Sequence, residues 1–177
     1  VEAYLTVLLQ RELLGSVEER IKSAQSELES SRRMRESGVV LGSDYQAALS
    51  VLGAFKARKA RLEAGLRSAE SRLAVLTGRV IDASVVKGGL APRELGLPSE
   101  AEDAVRLEVV EAGQAYEAAR QSVLEVLRAE ETVCRAAAGY LETLHGLALG
   151  WARLRLAAGA FDDRAVSELE KSLEAAP

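Results

Sequence analysis

The chain is poor in the residues that build most active sites. Its 177 positions include 1 Cys, 1 His, 3 Pro, 1 Met and 7 aromatic residues. One cysteine, Cys134, cannot form an internal disulfide, which excludes a disulfide scaffold and leaves the redox compartment open. One histidine, His145, has no second His or Cys at metal spacing, so no metal site is expected. Ser, Asp and His occur without a triad-like arrangement, and no glycine-rich phosphate loop is present. A protein without catalysis and without cofactor is the expectation. No stretch approaches the 18 or more apolar residues of a membrane helix. No ten-residue alternation of the membrane-strand kind occurs either. Net charge is −4, from 23 basic and 27 acidic residues. The basic residues are interleaved with glutamates rather than gathered on one face, so nucleic acid is not an expected partner.

Ala, Leu, Glu, Arg and Lys, by contrast, are abundant: 30, 27, 22, 18 and 5 residues, together 102 of the 177. A share above roughly half, with heptad periodicity, marks coiled coils and long helices. The fold class expected is all-α, built of long antiparallel coiled-coil helical hairpins with no substantial β-sheet.

The spacing of apolar residues predicts the elements. Leu14, Val17, Ile21, Ala24 and Leu28 step by 3 and 4, the seam of a coiled coil. This predicts a first helix from about residue 2 to Ser37, ended by Gly38, whose missing Cβ suits a left-handed C-terminal position. Ser43 followed by Gln46 forms a capping box that starts a second helix. Its seam runs through Leu52, Phe55, Lys59, Leu62, Leu66, Ala69, Leu73 and Leu76, and it stops at Thr77-Gly78. Two long helices joined by so few residues must fold back on each other. Residues 79–98 hold Pro92, Pro98, Gly88, Gly89 and Gly96 and read as a linker, with a short extended piece at Val80-Ile81 or Val85-Val86. Ser99 with Glu102 is a further capping box. From it a third helix is predicted to about Gly159, its seam passing through Val105, Val126, Val133, Tyr140, Leu147, Trp151 and Leu154 with Glu130 as the one polar member. Gly139, Gly146 and Gly150 weaken it by about 1 kcal/mol each relative to Ala. A fourth helix starts at Asp162 or Asp163 as N-cap. Many seam positions are Ala or Val, which bury little area, so the helices need lateral partners on more than one side.

Residues 1–78 resemble the first periplasmic hairpin of the TolC-like outer-membrane efflux family. The resemblance is carried by Tyr4-Leu5, Leu8-Leu9, Glu18-Glu19-Arg20-Ile21, the turn Arg35-Glu36-Ser37-Gly38-Val39-Val40-Leu41-Gly42-Ser43-Asp44, and Leu73-Ala74-Val75-Leu76-Thr77-Gly78. A second match lies at 156–166, where Gly159 and Ala165 have the same separation as Gly38 and Asp44, with Ala where the Asp would be. This resembles the second tip of a duplicated protein.

The resemblance implies a homotrimeric passive export duct, placed in the outer membrane through segments absent from this chain. It implies two partners, a periplasmic adaptor engaged through the hairpin tips and an inner-membrane pump. The tip residues would be Gly38, Val39, Val40, Leu41, Ser43 and Asp44, with Gly159, Phe161, Asp162 and Asp163 at the second tip. A start at Val and 18 residues after Gly159 make the chain read as part of a longer protein. Three bland readings stand beside these. Gly38–Asp44 is also an ordinary helix–helix turn, Arg32, Arg33 and Arg35 also suit a helix C-terminus, and Trp151 and the seam tyrosines also serve as packing. Two other functions fit long helices with a small-residue turn: the hairpin of a periplasmic adaptor, and a purely structural coiled coil.

Overall fold

The computed structural model describes residues 1–36, 42–81 and 123–174. The chain is predominantly helical, and no strand occurs among the described residues. Among the described residues there are four helices: α1 (Glu2–Glu36), α2 (Gly42–Thr77), α3 (Val123–Ala157) and α4 (Asp163–Glu174). At ~1.5 Å per residue each of the three long helices spans about 50 Å. No described helix is long and apolar enough to cross a membrane.

The helix ends follow from local chemistry. Glu2 lies in the first turn of α1, and Arg33 and Arg35 lie in its last. Both placements favour the helix dipole. α2 begins at Gly42, so Ser43 sits inside the first turn rather than ahead of it. It ends at Gly78, whose φ of 67° is open to glycine at little cost. The Gly78 amide donates to Ala74 O at 2.9 Å, and Thr77 Oγ1 donates to Leu73 O at 2.9 Å.

Side-chain pairs fix the directions of the long helices. Lys59 of α2 meets Glu18 of α1, while Gly65 lies against Gln10. Numbers rise on one helix as they fall on the other, so α2 runs antiparallel to α1. On α3, Glu130 meets Arg20 and Arg153 meets Glu2. α3 is therefore also antiparallel to α1 and runs in the direction of α2. All three touch one another.

Two apolar clusters fill the space between them. One joins Leu5, Leu8, Leu13, Leu73, Leu144 and Trp151 with Leu169 and Leu173 of α4. The other joins Val17, Ala24, Leu28, Ala48, Phe55 and Leu127 with Cys134. Each fully buried Leu contributes roughly 1.5–3 kcal/mol. The predicted seams of α1 and α2 lie mostly inside these clusters. Leu76 and Leu154 do not: they are 68% and 69% exposed. In the antiparallel register both would face Val1, where α1 supplies no further surface. The predicted linker is described only at 79–81, and the predicted helical stretch 99–122 lies outside the described residues.

Candidate functional site: the two turns and the buried carboxylate

The turn singled out by sequence connects α1 to α2. Gly38, Val39, Val40 and Leu41 lie outside the described residues. Ser43, which is exposed, and Asp44 belong to the first turn of α2. What the structure adds is the chemistry on either side. The Arg35 guanidinium stands over the Tyr45 ring, 4.7 Å from its centroid, and so links the end of α1 to the start of α2. Such a contact contributes about 0.5–1 kcal/mol at an exposed site. Arg32 pairs with Glu36 at 3.3 Å, and Arg33 lies 3.9 Å from Glu29. All three arginines are thus engaged locally. Tyr45 was not singled out by sequence reasoning, although an Arg and a Tyr flanking a short turn are the signal for it. Just inside this end, Leu28 and Ala48 close the core, and the buried Ser31 Oγ has no hydrogen-bond partner.

The second turn sits at the other end of the bundle. α3 runs antiparallel to α1, so Gly159 follows the helix end that lies beside Glu2, not the end beside Arg35. The structure does not bring Gly159, Phe161, Asp162 and Asp163 together with Ser43 and Asp44. Their local roles are well defined. Gly159 has φ 66°, its amide donates to Leu156 O at 3.1 Å, and the Ala160 amide donates to Arg155 O at 2.9 Å. This pair is a Schellman cap. Asp162 Oδ1 accepts from the Ala165 amide at 2.9 Å, which makes Asp162 the N-cap of α4. Phe161 packs half-buried against the apolar cluster at this end. Asp163 is exposed in the first turn of α4. Arg155 reaches Glu168 at 3.3 Å and so ties α3 to α4 across the turn.

Glu130 occupies the middle of the bundle. It is fully buried, and both carboxylate oxygens are used: Oε2 accepts from Arg20 Nη1 at 2.9 Å and Oε1 from Ser23 Oγ at 2.7 Å. Arg20 and Ser23 stand one turn apart on α1, so one α3 side chain grips two successive positions of its neighbour. The other polar seam residue, Lys59, donates to Glu18 at 2.7 Å and lies 3.7 Å from Glu63. Glu18 holds the Lys59 ammonium above the usual lysine range.

Burial shifts the two remaining titratable side chains, Cys134 and His145. Burial pushes the Cys134 thiol up, away from the thiolate, against the pull of Arg58 and Arg20 nearby. Burial likewise pushes the His145 imidazole down, with Glu2 opposing and Arg153 assisting, and its Nε2 is buried without a hydrogen-bond partner. Among the described residues no group of three or more His, Cys, Asp or Glu is placed to hold a metal ion. No family model, no curated protein and no solved structure matches this chain.

Proposed function

We propose that the chain is the periplasmic helical portion of a TolC-like outer-membrane export duct, a passive conduit that engages its periplasmic adaptor through the turn at 38–44. The observation that carries this reading is the antiparallel pairing of α1 and α2, two helices of 35 and 36 residues whose ends meet where Arg35 covers Tyr45. The five residues connecting them include Val39, Val40 and Leu41. A simple turn has no use for three apolar side chains in succession, whereas a docking tip does. In the duct the helices form coiled-coil hairpins within a homotrimeric wall, and an inner-membrane pump completes the pathway. Adaptor docking is proposed for this end, because the turn at Gly159 and Asp162 follows the end of α3 that lies beside Glu2, at the opposite end of the bundle.

The test combines Gly38→Val with Asp44→Ala in the full-length protein and measures adaptor capture and export. Loss of both with unchanged helicity is the expected result. Capture and export at the original level would remove the assignment. Phe161→Ala combined with Asp163→Ala is expected to leave adaptor capture unchanged.

A further inference from the structure

We propose that the outward side of α2, with the apolar residues at its end, is a docking surface for an anionic lipid bilayer. The inference does not rest on the export reading. It concerns a helix lying against a lipid surface, not a segment that spans one.

The charges of α2 are sorted between its sides. The helix carries six basic and three acidic side chains. Lys56 and Arg67 stand about three turns apart and share a side; Arg61 and Arg72 have the same separation. All four are exposed and make no ion pair among the described residues. Between the two rows lie Gly53, Ala57, Ala60, Ala64 and Ser68, all exposed, opposite the buried Leu52, Phe55, Ala69 and Leu73. The acidic residues are elsewhere. Glu63 reaches Lys59, which itself meets Glu18 of α1. Glu70 stands about two turns beyond Glu63, on the same side. Asp44 is in the first turn, at the far end. From Lys56 to Arg72 the outward side is therefore basic throughout, over roughly 24 Å.

Where this side ends, it becomes apolar. Val75 and Val80 are 83% and 96% exposed, and Leu76 between them is exposed as well. The left-handed Gly78 turns the chain so that Ile81 packs back on the core while Val80 stays outside. Arg72 and Arg79 bracket these residues, and Arg79 too is exposed without an ion pair among the described residues. Leu154 and Leu156 of α3 are exposed at the same end of the bundle. Large apolar side chains gathered in this way mark a contact surface. Apolar side chains beside unpaired guanidiniums, with a basic helix side behind them, match the lipid–water boundary. Val75, Leu76 and Val80 enter the acyl edge while the arginine stems reach back to the phosphates. A single nucleic-acid strand would call for stacking side chains among the cations. The aromatics of α2 are Tyr45, covered by Arg35, and the buried Phe55. The acidic residues of this end are placed off α2: Glu2 is paired with Arg153, and Asp162 and Asp163 adjoin α4, which Glu168 ties to Arg155 of α3.

Co-sedimentation of the 177-residue chain with vesicles tests the proposal. Vesicles of equal parts phosphatidylcholine and phosphatidylglycerol are expected to bind it, and vesicles of phosphatidylcholine alone to bind at least about tenfold more weakly. Added salt is expected to weaken binding to the anionic vesicles. Arg72→Glu with Arg79→Glu removes the charge attraction, and Val75→Ser with Val80→Ser removes the apolar contact. Each pair is expected to weaken binding to the anionic vesicles by about tenfold or more. Arg128→Glu with Arg135→Glu makes the same change of net charge at exposed positions of α3 and is expected to leave binding as it was. Circular dichroism checks that all three variants keep their helicity. No binding to the anionic vesicles overturns the proposal. So does binding that either α2 variant leaves at its original level, or that the α3 variant weakens equally. Retention on a single-stranded oligonucleotide without vesicle binding would assign the basic side to nucleic acid and overturn it too. Self-association that Val75→Ser with Val80→Ser abolishes, without vesicle binding, would assign the apolar end to a second copy with the same consequence.

Discussion

Glu130 shows how one residue sets the relation between two helices. It is the single polar member of the α3 seam, and its burial is tolerable only because Arg20 and Ser23 satisfy both oxygens. The consequences of removing the partners differ. Arg20→Met leaves a buried carboxylate with one hydroxyl for company, and breaking a buried pair in this way costs about 3–5 kcal/mol. Glu130→Leu leaves Arg20, whose side chain is 32% exposed and rehydrates. Urea unfolding is therefore expected to rank Arg20→Met as clearly more damaging than Glu130→Leu; the reverse order would mean that the arginine, not the carboxylate, is the costly buried charge. His145 provides a pH signature of similar origin. Its imidazole titrates below the ordinary range in the folded chain because burial disfavours the cation. The unfolded chain then binds the proton first as pH falls. The stability contributed by neutral His145 is complete above about pH 6.5 and is lost as pH drops through the lower folded value. Stability measured from pH 7 to pH 5 is expected to fall less steeply in His145→Gln than in the unaltered chain.

At the scale of elements, the turn after α3 is held by backbone geometry at its two ends. Gly159 must be left-handed, and Asp162 must cap α4. Gly159→Ala is expected to cost about 1–2 kcal/mol, and Asp162→Ala about 1 kcal/mol through the lost cap. Both are expected to show first as faster amide exchange in α4, with the α1–α2 pair unchanged. The Gly and the Asp were legible in the sequence as a helix stop and a helix start, as was the Thr77-Gly78 stop of α2. The direction of α3 was not. A seam of 3 and 4 steps describes which face of a helix is buried and says nothing of which neighbour covers it or which way that neighbour runs. Hence 156–166, which resembles a second tip, could be matched by residue spacing and still stand at the opposite end from Arg35. The heptad also understates the core of α3. Leu127, Cys134, Ala148 and Ala152 lie off the main seam yet are buried, because α3 faces both α1 and α2. Glu130 was visible as an intrusion in the seam, but its two partners lie 110 and 107 residues away and no local pattern points to them.

For the whole molecule, the many small residues serve two different purposes, and substitution can tell them apart. Alanines facing inward, such as Ala24, Ala48 and Ala148, let three helices approach around narrow cores. Glycines and alanines facing outward contribute nothing to that packing. At Gly53, Gly146 and Gly150 a Cβ would meet nothing within 4 Å. Gly146→Ala and Gly150→Ala together are expected to stabilise the chain by about 2 kcal/mol, since each replaces a poor helix former by the best one. Thermal unfolding of the double variant checks this. Gly53→Leu combined with Ala60→Leu places two large side chains on the exposed face of α2, opposite the buried Leu52 and Phe55. It improves or preserves helix propensity at exposed positions, so thermal unfolding is expected to be at least as high as before. A clearly lower unfolding temperature would show that the outward small residues of α2 pack against another part of the folded chain; an unchanged or higher one would show that they serve helix propensity alone.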